Sequence, residues 1–289
     1  TVGWSWPRYR SYRFFNGGLT LSGERVEFAS DSLQRLLGDS LRQRPREVGL
    51  FLNAGVSTAR GYTLSISREQ GAWLSGTLTA RRYTEPLPGR EDASGYLRGV
   101  LRGRTYRGLG TPGFARSVLA LRLDAGAERG SVSPGIEVGG TSGAVLDALA
   151  GVGGLGGSAA FPVRGYPSGA QEGTRAFTAN AEYRFPLAWV ERGAGVLPVF
   201  LRRAWGDVFA DAGAAWCDGR GCGRAFLRDQ PTRPQPLYSV GAELGTEFVV
   251  GYGLPLPLRL GLALPLRRTW DGGRVGGGPA AYLQLGWAF

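Results

Sequence analysis

The chain has 289 residues, with 34 basic and 23 acidic side chains, a formal net charge of +11 and 43% hydrophobic residues. Every basic residue is arginine and no histidine occurs, which removes the usual general base of a membrane-barrel hydrolase and the usual histidine-containing zinc sites; two cysteines alone cannot make a structural zinc site. The chain is therefore expected to be no enzyme and to use no metal or cofactor.

The arginines are spread over many segments and form no single patch, so the charge excess predicts no nucleic-acid partner. No run of 18 apolar residues exists, so no transmembrane helix is predicted. With no signal peptide and Thr1 at the start, the chain reads as a mature protein or a fragment of one. Forty-nine glycines point to an all-β chain with many turns.

In chain order, an aromatic-rich strand is predicted from Thr1 to about Phe15. Asn16-Gly17-Gly18 is predicted to turn a hairpin into a strand from Leu19 to Phe28. Residues Ser30 to Arg46 read either as a helical turn or two, on the spacing of Leu33, Leu36, Leu37 and Leu41, or as a plain loop. Alternation of apolar and polar residues then predicts strands around Val48–Val56, Tyr62–Ser67, Leu74–Arg81, Leu97–Arg104 and Leu119–Gly126. A weaker one, Val132–Gly139, precedes a glycine-rich segment. In the strand Arg175–Phe185, Thr178, Asn180, Glu182 and Arg184 fall on one face, and Phe177, Ala179, Ala181, Tyr183 and Phe185 on the other. Strands at Phe200–Trp216, Tyr238–Val250, Pro257–Leu266 and Ala280–Phe289 complete thirteen segments.

Charged residues occupy the polar face of nearly every segment. A soluble sandwich would turn that face to solvent and a membrane barrel would turn it to a lumen. Three features favour the barrel. Aromatics fall near strand ends, as a membrane girdle requires: Trp4, Trp6, Trp73, Tyr83, Tyr106, Trp189, Trp216, Tyr238, Trp270 and Trp287. Many strands reach about ten residues, enough to span at a tilt. The chain ends in an alternating strand with Tyr282, Leu285, Trp287 and a terminal Phe289, which resembles the carboxy-terminal insertion signal of bacterial outer-membrane barrels. The predicted fold is an all-β, antiparallel transmembrane β-barrel, with Leu258, Leu260, Leu262, Leu283 and Leu285 facing lipid and Arg259 and Glu243 facing the lumen.

Val163-Arg164-Gly165-Tyr166, Glu182-Tyr183-Arg184-Phe185-Pro186-Leu187 and Phe209-Ala210-Asp211-Ala212-Gly213, at this spacing before a terminal Phe289, resemble the BamA-like superfamily. These are the outer-membrane assembly and translocation barrels, also called bacterial surface antigens. Residues 65–71 and 118–123 are similar to a branch whose barrel follows a periplasmic propeller. The resemblance covers residues from about 46 onward. It implies a lid loop folded into the lumen, here residues 140–174, with Arg164 of the Arg-Gly-aromatic tip meeting Asp211 and Glu182 nearby. Gly165 allows the tight turn at that tip, Tyr166 fills the lumen wall, and Gly213 belongs to the facing strand. The connection from Thr141 to Pro162 is longer than in the family; Val145–Leu149 within it reads as a lumen-plugging helix or as a surface loop.

Family barrels have roughly sixteen strands, an even count. Thirteen segments therefore imply that the first strands, and any periplasmic partner domain, lie upstream, and that residues 1–289 form a single barrel domain. Cys217 and Cys222 sit five residues apart in a loop that strand parity places on the outer face. In an oxidising compartment they are expected to form a disulfide; a redox or metal pair is the other reading. The resemblance implies the bacterial outer membrane as location. Its lipids and client outer-membrane or secreted polypeptides would be the partners, and protein transport the function, with a passive porin-like channel as the alternative. Gly276, Gly277, Gly278 and Gly286 either weaken pairing of the last strand or serve only as turn residues.

Overall fold

The computed structural model describes residues 1–22, 47–84, 94–110, 115–131, 135–141, 161–193, 195–218, 231–251 and 253–285. Among them there are strands and no helix. In chain order the strands are β1 (Val2–Arg8), β2 (Ser11–Ser22), β3 (Glu47–Ser57), β4 (Gln70–Tyr83), β5 (Gly95–Leu109), β6 (Ser117–Gly130), β7 (Ile136–Val138) and β8 (Gln171–Gly173). They continue with β9 (Arg175–Gly193), β10 (Val199–Trp216), β11 (Leu237–Val250), β12 (Leu254–Pro265), β13 (Thr269–Trp270), β14 (Gly273–Arg274) and β15 (Ala280–Leu285).

Eleven of these form one antiparallel sheet in the order β1-β2-β3-β4-β5-β6-β9-β10-β11-β12-β15. Neighbours in space are neighbours in sequence, apart from the inner hairpin β7-β8 and the two-residue pair β13-β14. No ladder joins β1 to β15 among the described residues.

The burial pattern is inverted relative to a soluble protein. On β12, Leu260 and Leu262 are 54% and 55% exposed while Arg259 is 1% exposed. On β6, Leu119, Leu121 and Leu123 point out, whereas Arg122 and Asp124 are buried. Burying arginines and carboxylates while exposing leucines is unfavourable unless the outer medium is apolar and the interior supplies ion pairs.

Two of the thirteen predicted segments are not wall strands, which leaves eleven. Tyr62–Ser67 is a turn-rich connection. Its Ser65 hydroxyl accepts from the Tyr62 amide and donates to Glu69, each at 2.7 Å, local bonds that compete with a sheet ladder. Ile66, on the apolar side of that alternating stretch, is buried with Ala115 and Trp205. Of Val132–Gly139, the described residues 135–139 hold β7, which pairs with β8 in the interior, where Ile136 and Val138 are buried.

The first hairpin also differs from expectation. The chain turns at Tyr9-Arg10, and Asn16-Gly17-Gly18 lies within β2, with Asn16 opposite both Gly3 and Asn53. Gly17 packs closely: a Cβ there would lie 2.9 Å from Leu52 Cδ2 and 3.2 Å from the Phe51 carbonyl oxygen, so Leu52 would have to shift. The aromatic girdle is likewise thinner than predicted. Tyr106 and Trp270 are buried inside the molecule, and Trp73 lies inward beneath the Arg104 guanidinium.

Candidate functional site: the lid tip and its carboxylate wall

Residues 161–170 run through the interior beside β9, β10 and β12. Phe161, Val163 and Tyr166 pack with Ile136, Ala215 and Leu237 in a buried apolar cluster. This cluster gives the segment its own small hydrophobic core, so the docked position does not rest on charges alone. Gly165 holds φ +88°, a left-handed turn that a β-carbon would strain, and it sits where a Cβ would meet Ala263 at 3.2 Å. Gly213 opens the facing wall: a Cβ there would lie 2.7 Å from Val163 Cγ2.

Arg164 is buried and grips Asp211 through three donors. Its backbone amide lies 3.0 Å from Oδ2, Nε 2.7 Å from Oδ2, and Nη2 2.7 Å from Oδ1. This is the paired geometry that a guanidinium makes and an ammonium cannot. Nη1 donates to Glu243 Oε1 at 2.9 Å and forms an ion pair with Glu182 Oε1 at 2.8 Å. The latter contact is one of charge more than of hydrogen-bond direction, since Glu182 Oε1 accepts no hydrogen bond. The guanidinium also lies over the Phe209 ring, 3.5 Å from its centroid. Burial alone would lower the pKa of this arginine; Asp211, then Glu182 and Glu243, outweigh it and hold the pKa well above its ordinary value.

The carboxylates are held in turn by the wall. Arg184 donates to Glu182 Oε2 at 2.8 and 2.6 Å. Arg259 donates to Glu243 Oε2 at 2.9 Å and to Gln284 Oε1 at 2.6 Å. The Tyr282 hydroxyl donates to Glu243 Oε1 at 2.5 Å. One network therefore joins the lid tip to β9, β10, β11, β12 and the last strand, β15. Asp207 lies directly opposite Glu243 and is buried, with Oδ1 lacking a hydrogen-bond donor. The buried cluster thus sets three arginines against four carboxylates.

Tyr166 fixes the other side of the tip. Its hydroxyl donates toward the carbonyls of Tyr238, at 2.9 Å, and Arg267, at 2.8 Å. Its ring packs edge-on against Trp270 with centroids 5.7 Å apart, and Trp270 Nε1 donates to the Ala170 carbonyl at 2.8 Å. The β12–β15 connection is thereby part of the lid's seat.

Sequence reasoning named Arg164, Asp211 and Glu182 but not Glu243 as a partner of Arg164, nor Arg184, Arg259, Phe209 or the Tyr282 hydroxyl. Strand parity had placed Glu243 and Arg259 inward; which of the inward groups meet depends on strand stagger, which parity does not carry. Leu285 closes β15 on the outer face, while Trp287 and Phe289 lie outside the described residues, as do 142–160 of the lid and the run Val145–Leu149. Cys217 is buried and disulfide-bonded; Cys222 lies outside the described residues. Beyond the lid, an interior chamber of about 680 Å³ is lined by Trp73, Arg104, Tyr106 and Arg203 together with the 57–68 connection.

No family model and no curated protein matches the chain. Among solved structures it is similar to BamA from Haemophilus ducreyi lacking POTRA domains 1-3, with a TM-score of 0.51 and 14% sequence identity over 96% of this chain and 52% of that one. The chain spans about half the length of that structure. At this identity the likeness is one of fold alone, and it supports a barrel-like arrangement of the eleven-stranded antiparallel sheet.

Proposed function

We propose that this chain is the membrane barrel of a bacterial outer-membrane machine that inserts, assembles or translocates polypeptides. The observation that carries the reading is the link from the buried lid tip to the last strand. Arg164 and Tyr282 share one carboxylate oxygen, Glu243 Oε1, so a change in β15 is felt at the lid. An edge strand left without a ladder partner can template a client strand by β-augmentation, and no ladder joins β15 to β1 among the described residues. The outward leucines suit an outer-membrane bilayer, and the buried charges suit a lumen.

The test is reconstitution in vesicles followed by the folding rate of a urea-unfolded outer-membrane barrel client. Acceleration over protein-free vesicles, lost in Arg164→Ala while that variant still migrates as a folded barrel, supports the reading. Equal folding rates with and without the protein overturn it. A porin-like channel is the second reading, and the interior chamber is the observation in its favour. It requires steady conductance of the wild-type protein in planar bilayers, which an inward-docked lid would suppress.

A further inference from the structure

The outward face of β3 to β9 is apolar over its middle, with Gln70, Thr105 and Arg107 at one end and a set of arginines at the other. On β3 it carries Val48, Leu50, Leu52, Ala54 and Val56; β4 presents Leu74, Gly76, Leu78 and Ala80, and β6 presents Leu119, Leu121, Leu123, Ala125 and Ala127. At the lid-side end of this wall the outward positions become Arg82 on β4, Arg129 on β6 and Arg175 on β9, all exposed. The matching outward positions elsewhere are apolar or aromatic: Val48 on β3, Leu97 on β5, Trp216 on β10, Tyr238 on β11 and Leu264 on β12. Arg175 is partnered by Asp218 at 3.1 Å, a half-exposed ion pair. The side chains of Arg82 and Arg129 make no hydrogen bond or ion pair among the described residues.

Beside these arginines the wall is dented. A groove of about 650 Å³ runs across the strands, with Leu52, Leu78, Leu101 and Phe177 as banks and Gly76 and Gly99 in its floor. A Cβ on either glycine would meet only a leucine methyl at 3.9 Å, so both positions face open space. The dent runs obliquely: Ala54 lies opposite Gly76 and Gly99 opposite Ala127, with Leu101 and Leu78 standing beside them. Small residues along this oblique line leave room for an unbranched chain lying against the wall.

We propose that this groove and the arginines at its rim form a site for one anionic, phosphate-bearing membrane lipid, its acyl chain in the dent and its headgroup phosphate on Arg129 and Arg175 of neighbouring strands, with Arg82 adding positive charge from two strands away. An apolar slot next to a cluster of guanidiniums at the edge of an apolar band is complementary to an amphiphile with an anionic head. Guanidinium binds phosphate through paired, charge-assisted hydrogen bonds, and does so better where the surrounding medium is apolar. The proposal rests on the membrane reading above.

The experiment uses the whole chain in vesicles, with intrinsic tryptophan fluorescence quenched by lipids brominated on the acyl chain. The brominated probe carries either a phosphatidic acid or a zwitterionic phosphocholine headgroup. The wild type should be quenched preferentially by the phosphatidic acid probe at low mole fraction. The triple variant Arg82→Gln/Arg129→Gln/Arg175→Gln should weaken that preference by roughly tenfold, and Gly76→Leu, which fills the dent and leaves the charges, should weaken it also. Arg107→Gln, at the opposite end of β5, should leave it unchanged. Inorganic phosphate at millimolar concentration should not compete; full competition would mean that a free anion is bound and would overturn the lipid assignment. A wild type that inserts into vesicles but shows no headgroup preference overturns the proposal and leaves the membrane reading standing. Failure to insert at all overturns both.

Discussion

Two ion pairs on the interior face of the same sheet can be compared. Arg81 on β4 and Glu47 on β3 lie 2.6 Å apart with side chains 29% and 22% exposed; Arg164 and Asp211 lie 2.7 Å apart with side chains 5% and 0% exposed. Both carboxylates lie on wall strands, but Arg81 is itself on a strand while Arg164 is on the docked lid segment and meets Glu182 and Glu243 as well. The two pairs also differ in cover. Over β9 to β12 the lid segment and its hydrophobic cluster exclude water, whereas β1 is exposed along its whole length and β3 and β4 are half-buried on the interior side. Screening by water reduces a partly exposed pair to about 1 kcal/mol or less, while removing one partner of a buried pair costs about 3–5 kcal/mol through the charge left behind.

That contrast can be broken most directly at Arg164. Arg164→Ala should destabilise the docked lid by about 3–5 kcal/mol, since Asp211, Glu182 and Glu243 would face one another without it. The readout is the midpoint of heat-modifiable migration in detergent together with the rate of proteolysis within the lid. Arg164→Lys should recover only part of the loss, because an ammonium cannot make the paired contact. Arg81→Ala, by the same measurement, should cost about 1 kcal/mol or less; equal losses at the two positions would show that the lid does not exclude water.

A smaller effect is expected at the aromatic seat. Tyr166→Phe keeps the edge contact with Trp270 but removes the donor to Tyr238 and Arg267, a loss of about 1 kcal/mol. Lid proteolysis should accelerate accordingly with no change in barrel migration.

The smallest effect is one of pH. Glu172 of β8 lies opposite Glu137 of β7. Burial, and then the neighbouring carboxylates Glu137 and Glu128, raise its pKa above the ordinary 4.5. A raised folded-state value means that the folded chain holds the proton more tightly than the unfolded chain. Its contribution to stability is therefore complete below the unfolded value and is lost as pH rises through the folded one. The wild-type midpoint should fall over that window above 4.5 relative to Glu172→Gln, whose profile should be flatter there. A wild-type profile parallel to the variant's would remove Glu172 from the account.

Much of the wall was legible because strand alternation has a period of two and needs no knowledge of partners. Leu258, Leu260 and Leu262 share one face and Arg259 lies on the other. Alternation failed where an alternating stretch was not a wall strand. Tyr62–Ser67 has the same pattern as β3, but side-chain bonds from Ser65 fold it into a turn, and Ile66 finds a buried partner in Trp205. Period alone does not separate a strand that faces lipid from a short segment that packs inside.

Sequence by itself determined the β class, the two-residue alternation of most wall strands and the lack of a histidine for general-base chemistry, and the family resemblance pointed to Arg164 and Asp211. The first three follow from local periodicity and composition. Only the tertiary structure decided that the polar faces point inward, that eleven strands form the sheet, and that Glu243 and Tyr282 join the arginine's network. Direction and stagger are set by how strands far apart in the chain register against one another. A carboxylate 79 residues from Arg164 becomes its partner through sheet geometry alone.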